Sequence, residues 1–414
     1  MNRTTLKRLA LITLFILLIV GILVVVWFLF FAPFFRPTQP GGNANENVNG
    51  GALPNVNANR PVNTNANPVA QGPGTLPKPA EVANGSMTLA KNVSSTATVS
   101  PIIGPDGTSI IYYDDLSEKF VRLDPATGKL TDVTTQKFPD VKNITWAPDD
   151  QRAVLEFPDN SKIVYDFQSQ RQYSLPSQSQ KFSFSADSDR LAYAYIGTSA
   201  ESNFLVTSNA DGTGSKAVAE LGDQADYVQV AWSPSDQVVG LYRKGSAAGQ
   251  QEIVFIGQND ENFKSLTTDG SGFQGKWTPD GTKLLYTVYS EMTNWNPELH
   301  LVYAAGDNIG QGDVDLGLQT SLDKCIFNHA GTHAYCAVPD LMERGSGLYP
   351  EFSANVKDSV YSINLTSGAL SSVAQPVSSD LNRFTIGRLL LSTDESTLYF
   401  TDLSTGKVEK VRLR

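Results

Sequence analysis

The sequence predicts an all-β protein: a propeller of about seven four-stranded antiparallel blades, preceded by one N-terminal transmembrane helix and a disordered linker. Three observations carry that expectation. An uncharged apolar run lies near the N-terminus, a stretch of Asn, Pro and Gly follows it, and a two-strand motif recurs seven times over the rest of the chain.

Composition bounds the rest. With 414 residues, 41% hydrophobic and 18% charged, the chain can bury a large core. Its richness in Thr, Ser, Tyr and Val favours strands over helices. The formal net charge of −10 argues against a nucleic-acid partner, because phosphate binding needs a basic patch and Lys and Arg cluster only in the first residues. Two cysteines, Cys325 and Cys336, are too few for a disulfide-rich scaffold or a thiolate metal centre.

From Leu9 to Phe35 the chain reads LALITLFILLIVGILVVVWFLFFAPFF without a charge, longer than the roughly 20 apolar residues that span a bilayer. A cleaved signal peptide would have a shorter core and a small-x-small site, but Ala32 follows Phe30 and Phe31. Arg3, Lys7 and Arg8 precede the run and Arg36 alone follows closely, so the positive-inside rule places residues 1–8 in the cytoplasm and everything after residue 35 outside it. The expected location is the cell membrane, single-pass, in a host that the Asn-rich linker and the repeat type of the domain after it suggest is bacterial. Residues 36–85 hold almost no aromatic or charged residue and cannot offset their ordering entropy by burial. As a random coil, about 50 such residues span on the order of 40 Å, a leash for a domain over 86–414.

That domain is repetitive. An apolar strand, a Pro/Asp/Gly turn and a second apolar strand appear in IIGPDGTSIIYYDD, ITWAPDDQRAVLEF, FSFSADSDRLAYAY, VAWSPSDQVVGLYR, GKWTPDGTKLLYTV, CIFNHAGTHAYCAV and LLLSTDESTLYFTD. Pro presets φ at the second turn position, Asp bonds the local backbone and Gly takes the left-handed conformation, which together read as a hairpin. Trp146, Phe184, Trp232, Trp277 and Phe327 sit just before the turns, where they are expected to pack between blades. A lone blade cannot cover both faces of its sheet, so the units must stack around an axis. The last unit has room for one clear strand after Thr401, and Ser86–Lys91 (SMTLAK) is expected to complete it, although LYFTDLSTGKVEKV also reads as two strands.

These turns resemble the WD40-like, TolB-type (PD40) propeller repeat, an aromatic-Ser-Pro-Asp-Gly turn followed by Leu-x-Tyr. Trp277-Thr278-Pro279-Asp280-Gly281 carries the resemblance best and Trp232-Ser233-Pro234 in part, while His329 and Thr393 stand where the proline would be. The repeat occurs in proteins of many functions, so it implies fold, not activity. Propellers of this type also accompany the hydrolase domain of prolyl-oligopeptidase relatives, but no G-x-S-x-G elbow appears here.

The loops between second and third strands lengthen in later units: GTSAESN, KGSAAGQ, SEMTNWNPE and PDLMERGSGLYPEFSANVK. On consecutive blades they share one face. Met292, Trp295, Met342, Tyr349 and Phe352 are large apolar residues on them, the kind of anchor enriched in binding hot spots, and Glu343, Arg344 and Glu351 can supply polar contacts. The alternative is that these side chains fold back to pin their own loops. If CIFNHAGTHAYC pairs about its turn, Cys325 and Cys336 face each other within disulfide reach; as a bond or as two buried small side chains, both readings stand.

Catalytic signals are poor. His329 and His333 flank a turn and His300 is the only other histidine, so no metal-ligand set can be placed and no cofactor is expected. Asp211-Gly212-Thr213-Gly214 lacks the spaced oxygens of a calcium loop and reads as a turn. The expected function is a protein- or peptide-binding or scaffolding module, its partner an envelope or extracellular protein. The alternatives are a hydrolase acting on glycan or peptide through carboxylates of the central channel, and a structural component of an envelope complex.

Overall fold

The computed structural model describes residues 78–245 and 249–414. The expected transmembrane helix 9–35, the tail before it and the linker up to residue 77 lie outside the described residues. Among those described, no helix is long and apolar enough to cross a membrane.

Seven sheets follow one another, six of them built on four antiparallel strands in sequence order and the seventh on three, its outer strand coming from the start of the domain. Their first strands are Val99–Ile103, Asn143–Trp146, Ser179–Phe184, Val228–Val230, Ser271–Trp277, Cys325–Phe327 and Ile386–Leu391, and the blades are numbered accordingly. Each blade is sandwiched between two others, so its second strand is buried on both faces and reads as a continuous apolar run rather than an alternating one. In blade 5, Lys283–Tyr289 (KLLYTVY) is buried at every position from Leu284 to Val288. Leu284, Tyr286 and Val288 pack with blade 4, and Leu285 on the opposite face packs with blade 6.

Seven apolar clusters result, one for each neighbouring pair of blades. The cluster of Ile110, Tyr112, Leu390, Tyr399 and Val408 joins blade 1 to blade 7, so the ring is closed. Phe184, Trp232 and Trp277 are buried in these clusters, and Trp146 and Phe327 pack against them. Trp146 also donates from Nε1 to Ser100 O of blade 1 at 2.9 Å.

The hairpin turns share one geometry. Gly107, Asp150, Ser188, Asp236, Gly281, Gly331 and Glu395 occupy the same turn position, all with φ between 55° and 76°. Each donates its N–H to the carbonyl three residues earlier, as Gly281 does to Thr278 at 2.8 Å. The left-handed residue that the Pro-Asp-Gly pattern predicts is therefore present in all seven units, but four of them use Asp, Ser or Glu. Those four carry the side-chain strain that glycine avoids.

Ring closure differs from expectation. Met87–Leu89 does not complete blade 7; it pairs in parallel with Leu370–Val377 as a fifth strand of blade 6. The chain then crosses at buried Ala90, and Lys91–Asn92 forms the short outer strand of blade 7, antiparallel to Val408–Arg412. Alternation in SMTLAK is compatible with either edge; the open edge of the blade 6 outer strand, visible only in the assembled ring, takes it first. The end of the expected linker also lies on the ring. Ala80 bridges Thr88, Ala83 N–H donates to Arg412 O at 2.8 Å, and Gly85 N–H donates to Val373 O at 2.8 Å.

Candidate functional site

Two features of the ring meet on the face that carries the second-to-third-strand loops and the blade-to-blade connections. The first is a platform made by the loops of blades 5 and 6. Ser290 O accepts from Trp295 N–H at 2.7 Å, closing a turn in which Asn294 and Trp295 both have φ near 60° (57° and 60°). A left-handed tryptophan is a costly conformation that persists only where its surroundings over-determine it. Here the surroundings are the blade 6 loop: Gly345 N–H donates to Asn294 O at 2.9 Å and Gly347 N–H to Trp295 O at 2.8 Å. A Cβ on Gly347 would stand 2.7 Å from that carbonyl and 2.5 Å from the Tyr289 ring, so only glycine permits the approach. Between the loops, buried Asn296 accepts from Ser346 N–H at 3.2 Å and donates to Gln319 Oε1 at 3.0 Å.

On this braced base the exposed side chains are apolar. Met292 is 96% exposed, and Leu341, Leu348, Tyr349 and Phe352 stand exposed around it, the last two with ring centroids 5.3 Å apart. Leu116, Tyr227 and Leu403, from loops and connections of blades 1, 4 and 7, face the same way. Eight of the twelve exposed large hydrophobic residues among those described thus lie on this face. The other four, Leu130, Tyr303, Val314 and Leu370, lie on third or fourth strands at the rim.

The second feature is the axial channel. Under the blade 6 loop, Met342, Gly347, Pro350 and Ala354 enclose a cavity of about 340 Å³ with Arg243 of blade 4 and Leu403 of blade 7. Deeper cavities of about 450 and 720 Å³ share Lys276 and Asp323, and their walls come from the first strands of blades 1 and 3 to 7. Lys181, Arg243, Lys276 and Arg388 bring positive charge, and Asp150, Asp226 and Asp323 negative charge. Lys181 Nζ donates to Ala225 O and Val228 O, and Lys276 Nζ to Cys325 O, each reaching the next blade. The Gln229 amide bridges to both backbone groups of Gly275.

Burial dominates the electrostatics. It lowers Lys276 to about 8, helped by Arg388 and opposed by Asp323. Burial raises Asp150 to about 7, with Asp149 adding to the shift and Arg388 opposing it. A channel with groups titrating near neutrality can bind a charged ligand or exchange protons with one.

The structure brings the sequence-predicted residues together unevenly. Met292, Tyr349 and Phe352 project from the platform; Glu343 and Arg344 are exposed beside them without an ion pair among the described residues. Trp295 is half-buried against Tyr289, ring centroids 6.3 Å apart, so it braces the loop. Met342 is half-buried and lines the channel mouth. Cys325 and Cys336 are direct register partners with Cα atoms 4.1 Å apart and are disulfide-bonded. Leu341, Leu348 and the channel charges were not singled out by the sequence. A signal for the channel exists: four residues before each turn stand Ser100, Asn143, Lys181, Gln229, Gln274, Lys324 and Arg388, polar in all seven units.

Among solved structures the chain is similar to an oligogalacturonate lyase in complex with manganese, 13% identical with a TM-score of 0.52 over 78% of this chain and 90% of that one. It is also similar to the β-propeller domain of Cps50 (Swd1) from Myceliophteria thermophila, 12% identical with a TM-score of 0.50 over 78% of this chain and 100% of that one. One is an enzyme and the other is not so described, and at these identities the likeness shows the fold alone. No family model and no curated protein sequence matches the chain.

Proposed function

We propose that this chain is an extracytoplasmic binding or scaffolding propeller, tethered to a membrane by residues 9–35, that receives a protein or peptide partner on its loop face. The observation that carries the reading is the segregation of exposed apolar side chains: eight of twelve lie on that face, and five of the eight stand on two loops hydrogen-bonded into a fixed base. Isolated exposed hydrophobics are ordinary, but a clustered set on a rigid support is the signature of a surface that is covered by something else. The resemblance to TolB-type repeats agrees with this, since that repeat brings no catalytic motif of its own.

Site-directed photocrosslinking in intact cells tests it. A crosslinker at Met292 or Tyr349 should capture the same partner, and one at Thr282 on the opposite, hairpin-turn face should not. Equal capture from all three positions, or capture from none, would overturn the reading.

The channel favours a second reading, a hydrolase of glycan or peptide, because Asp150 at about 7 and Lys276 at about 8 are poised for acid/base work near neutral pH. Hydrolysis of peptide or glycan substrates that Asp150→Asn abolishes would support it. Hydrolysis equal in parent and variant would sink it.

A further inference from the structure

We propose that blade 5 carries a binding site for a divalent first-row transition-metal ion, formed by Glu298, His300 and Asp315 on its face toward blade 4. Each offers a donor atom, and the three donors lie within 4.8 Å of one another. This goes against the sequence-based expectation that no third ligand accompanies a histidine. The reason it was invisible is topological: Glu298 and His300 belong to the third strand, Glu298–Tyr303, and Asp315 to the fourth, Val314–Gln319.

Register builds the site. Tyr286, His300 and Asp315 are direct cross-strand neighbours on three adjacent strands. Directly opposed residues share a face of the sheet. The ladder between the third and fourth strands slips between Glu298 and His300, where Gly317 has φ 61° and its N–H donates to Asp315 Oδ1 at 2.7 Å. Such a bulge re-aims side chains near functional sites. Here it fixes the Asp315 carboxylate through Oδ1, and one of the carboxylate oxygens lies within 4.8 Å of the His300 and Glu298 donors.

The surroundings of His300 are those of a ligand. Ligating histidines keep one ring nitrogen for the metal and turn the other to a carboxylate, which fixes ring orientation and tautomer. Asp313 Oδ1 stands 3.6 Å from His300 Nδ1, and Asp313 Oδ2 accepts from the Tyr286 hydroxyl at 2.6 Å. The Tyr286 ring stacks on the imidazole, centroids 4.9 Å apart with 19° between planes. The carboxylate beside that ring nitrogen is itself oriented by a buried tyrosine.

Charge balance points the same way. Glu298, Asp313 and Asp315 crowd one imidazole, and no Lys or Arg among the described residues pairs with any of the three. A network built only to neutralise His300 needs one carboxylate. Three, with a mixed nitrogen and oxygen donor set and no thiolate, suit an ion such as Zn²⁺ or Mn²⁺ rather than the all-oxygen preference of Ca²⁺. Asp315 is exposed, so the ion has an entry path and keeps positions for water or a substrate oxygen.

The test uses the full-length chain purified in mild detergent, stripped with chelator and titrated with Zn²⁺, Mn²⁺ or Ca²⁺, with bound metal per chain and thermal midpoint as readouts. One Zn²⁺ or Mn²⁺ per chain is expected, with a raised midpoint. His300→Gln and Asp315→Asn should each weaken binding more than roughly 10-fold, and Asp313→Asn by about 10-fold, as loss of an orienting carboxylate does. His329→Gln should leave binding unchanged. Because Asp315 is exposed, its variant keeps the fold and the test interpretable. No metal bound by the parent, Ca²⁺ bound in preference, or stoichiometric Zn²⁺ retained by both His300→Gln and Asp315→Asn would overturn the proposal.

Discussion

At the scale of single residues, position in the ring sets chemistry that residue type alone does not. Asp150 is a turn residue like Asp236, but its turn points into the channel, where burial and Asp149 raise its pKa from 3.8 to about 7 against the pull of Arg388. The folded state therefore holds a proton that the unfolded state releases near pH 4, and stability falls as pH rises from about 4 to about 7 and is flat above. Asp150→Asn removes that slope: the urea midpoint of the variant should exceed that of the parent at pH 8 and match it near pH 4. A parent and variant that track each other across the range would show that Asp150 is solvated. Asparagine tolerates the left-handed φ of 57° at this position, so the backbone is not at issue. The two cysteines of the sequence form one bond across the first hairpin of blade 6, with a separation of 11 residues. Closing a loop of that size constrains the unfolded chain by roughly 2 to 3 kcal/mol. With no other thiol present, a reductant acts on that bond alone, and the urea midpoint should drop on reduction; an unchanged midpoint would mean that the ladder of blade 6 already confers the whole constraint.

At the scale of elements, the hairpin was legible because its chemistry is local. Pro, Asp and Gly within four residues specify the turn whatever surrounds it, and the units that depart from the pattern, such as Asn328-His329-Ala330-Gly331 and Ser392-Thr393-Asp394-Glu395, still make it. The terminal strands were legible only in part. Met87–Leu89 and Lys91–Asn92 are short, and what they cover is an edge supplied by residues some 290 to 320 positions away in the chain. Their effect is cooperative: they pair the outer strands of blades 6 and 7 and, through Ala90, join the apolar cluster between those blades. A chain beginning at residue 78 should therefore be more stable to urea than one beginning at residue 93, and the shorter one should aggregate through its bare edges. Equal midpoints would show that the seven inter-blade cores hold the ring without this clasp.

At the scale of the molecule, seven apolar clusters between seven pairs of blades make a closed body with two unlike faces. One face carries short turns bonded to one another, as Thr393 N–H donates to Gly107 O at 3.2 Å. The other carries the long loops, the exposed apolar set and the mouth of a charged channel. The proposed partner surface and the proposed metal site are separable, since Met292 and Tyr349 lie on the loop face while Glu298, His300 and Asp315 lie on the flank of blade 5, so neither the crosslinking nor the metal titration prejudges the other. The sequence by itself determined the repeat, the turn type, the number of blades and which loops are long, because these follow from periodicity and local turn chemistry that neighbours along the chain supply. Only the tertiary structure decided which loop residues brace and which project, which polar residues of the first strands converge on the axis, and which carboxylates gather round His300. Those outcomes depend on register across strands and on blades far apart in sequence meeting at one point, and no local pattern encodes that meeting.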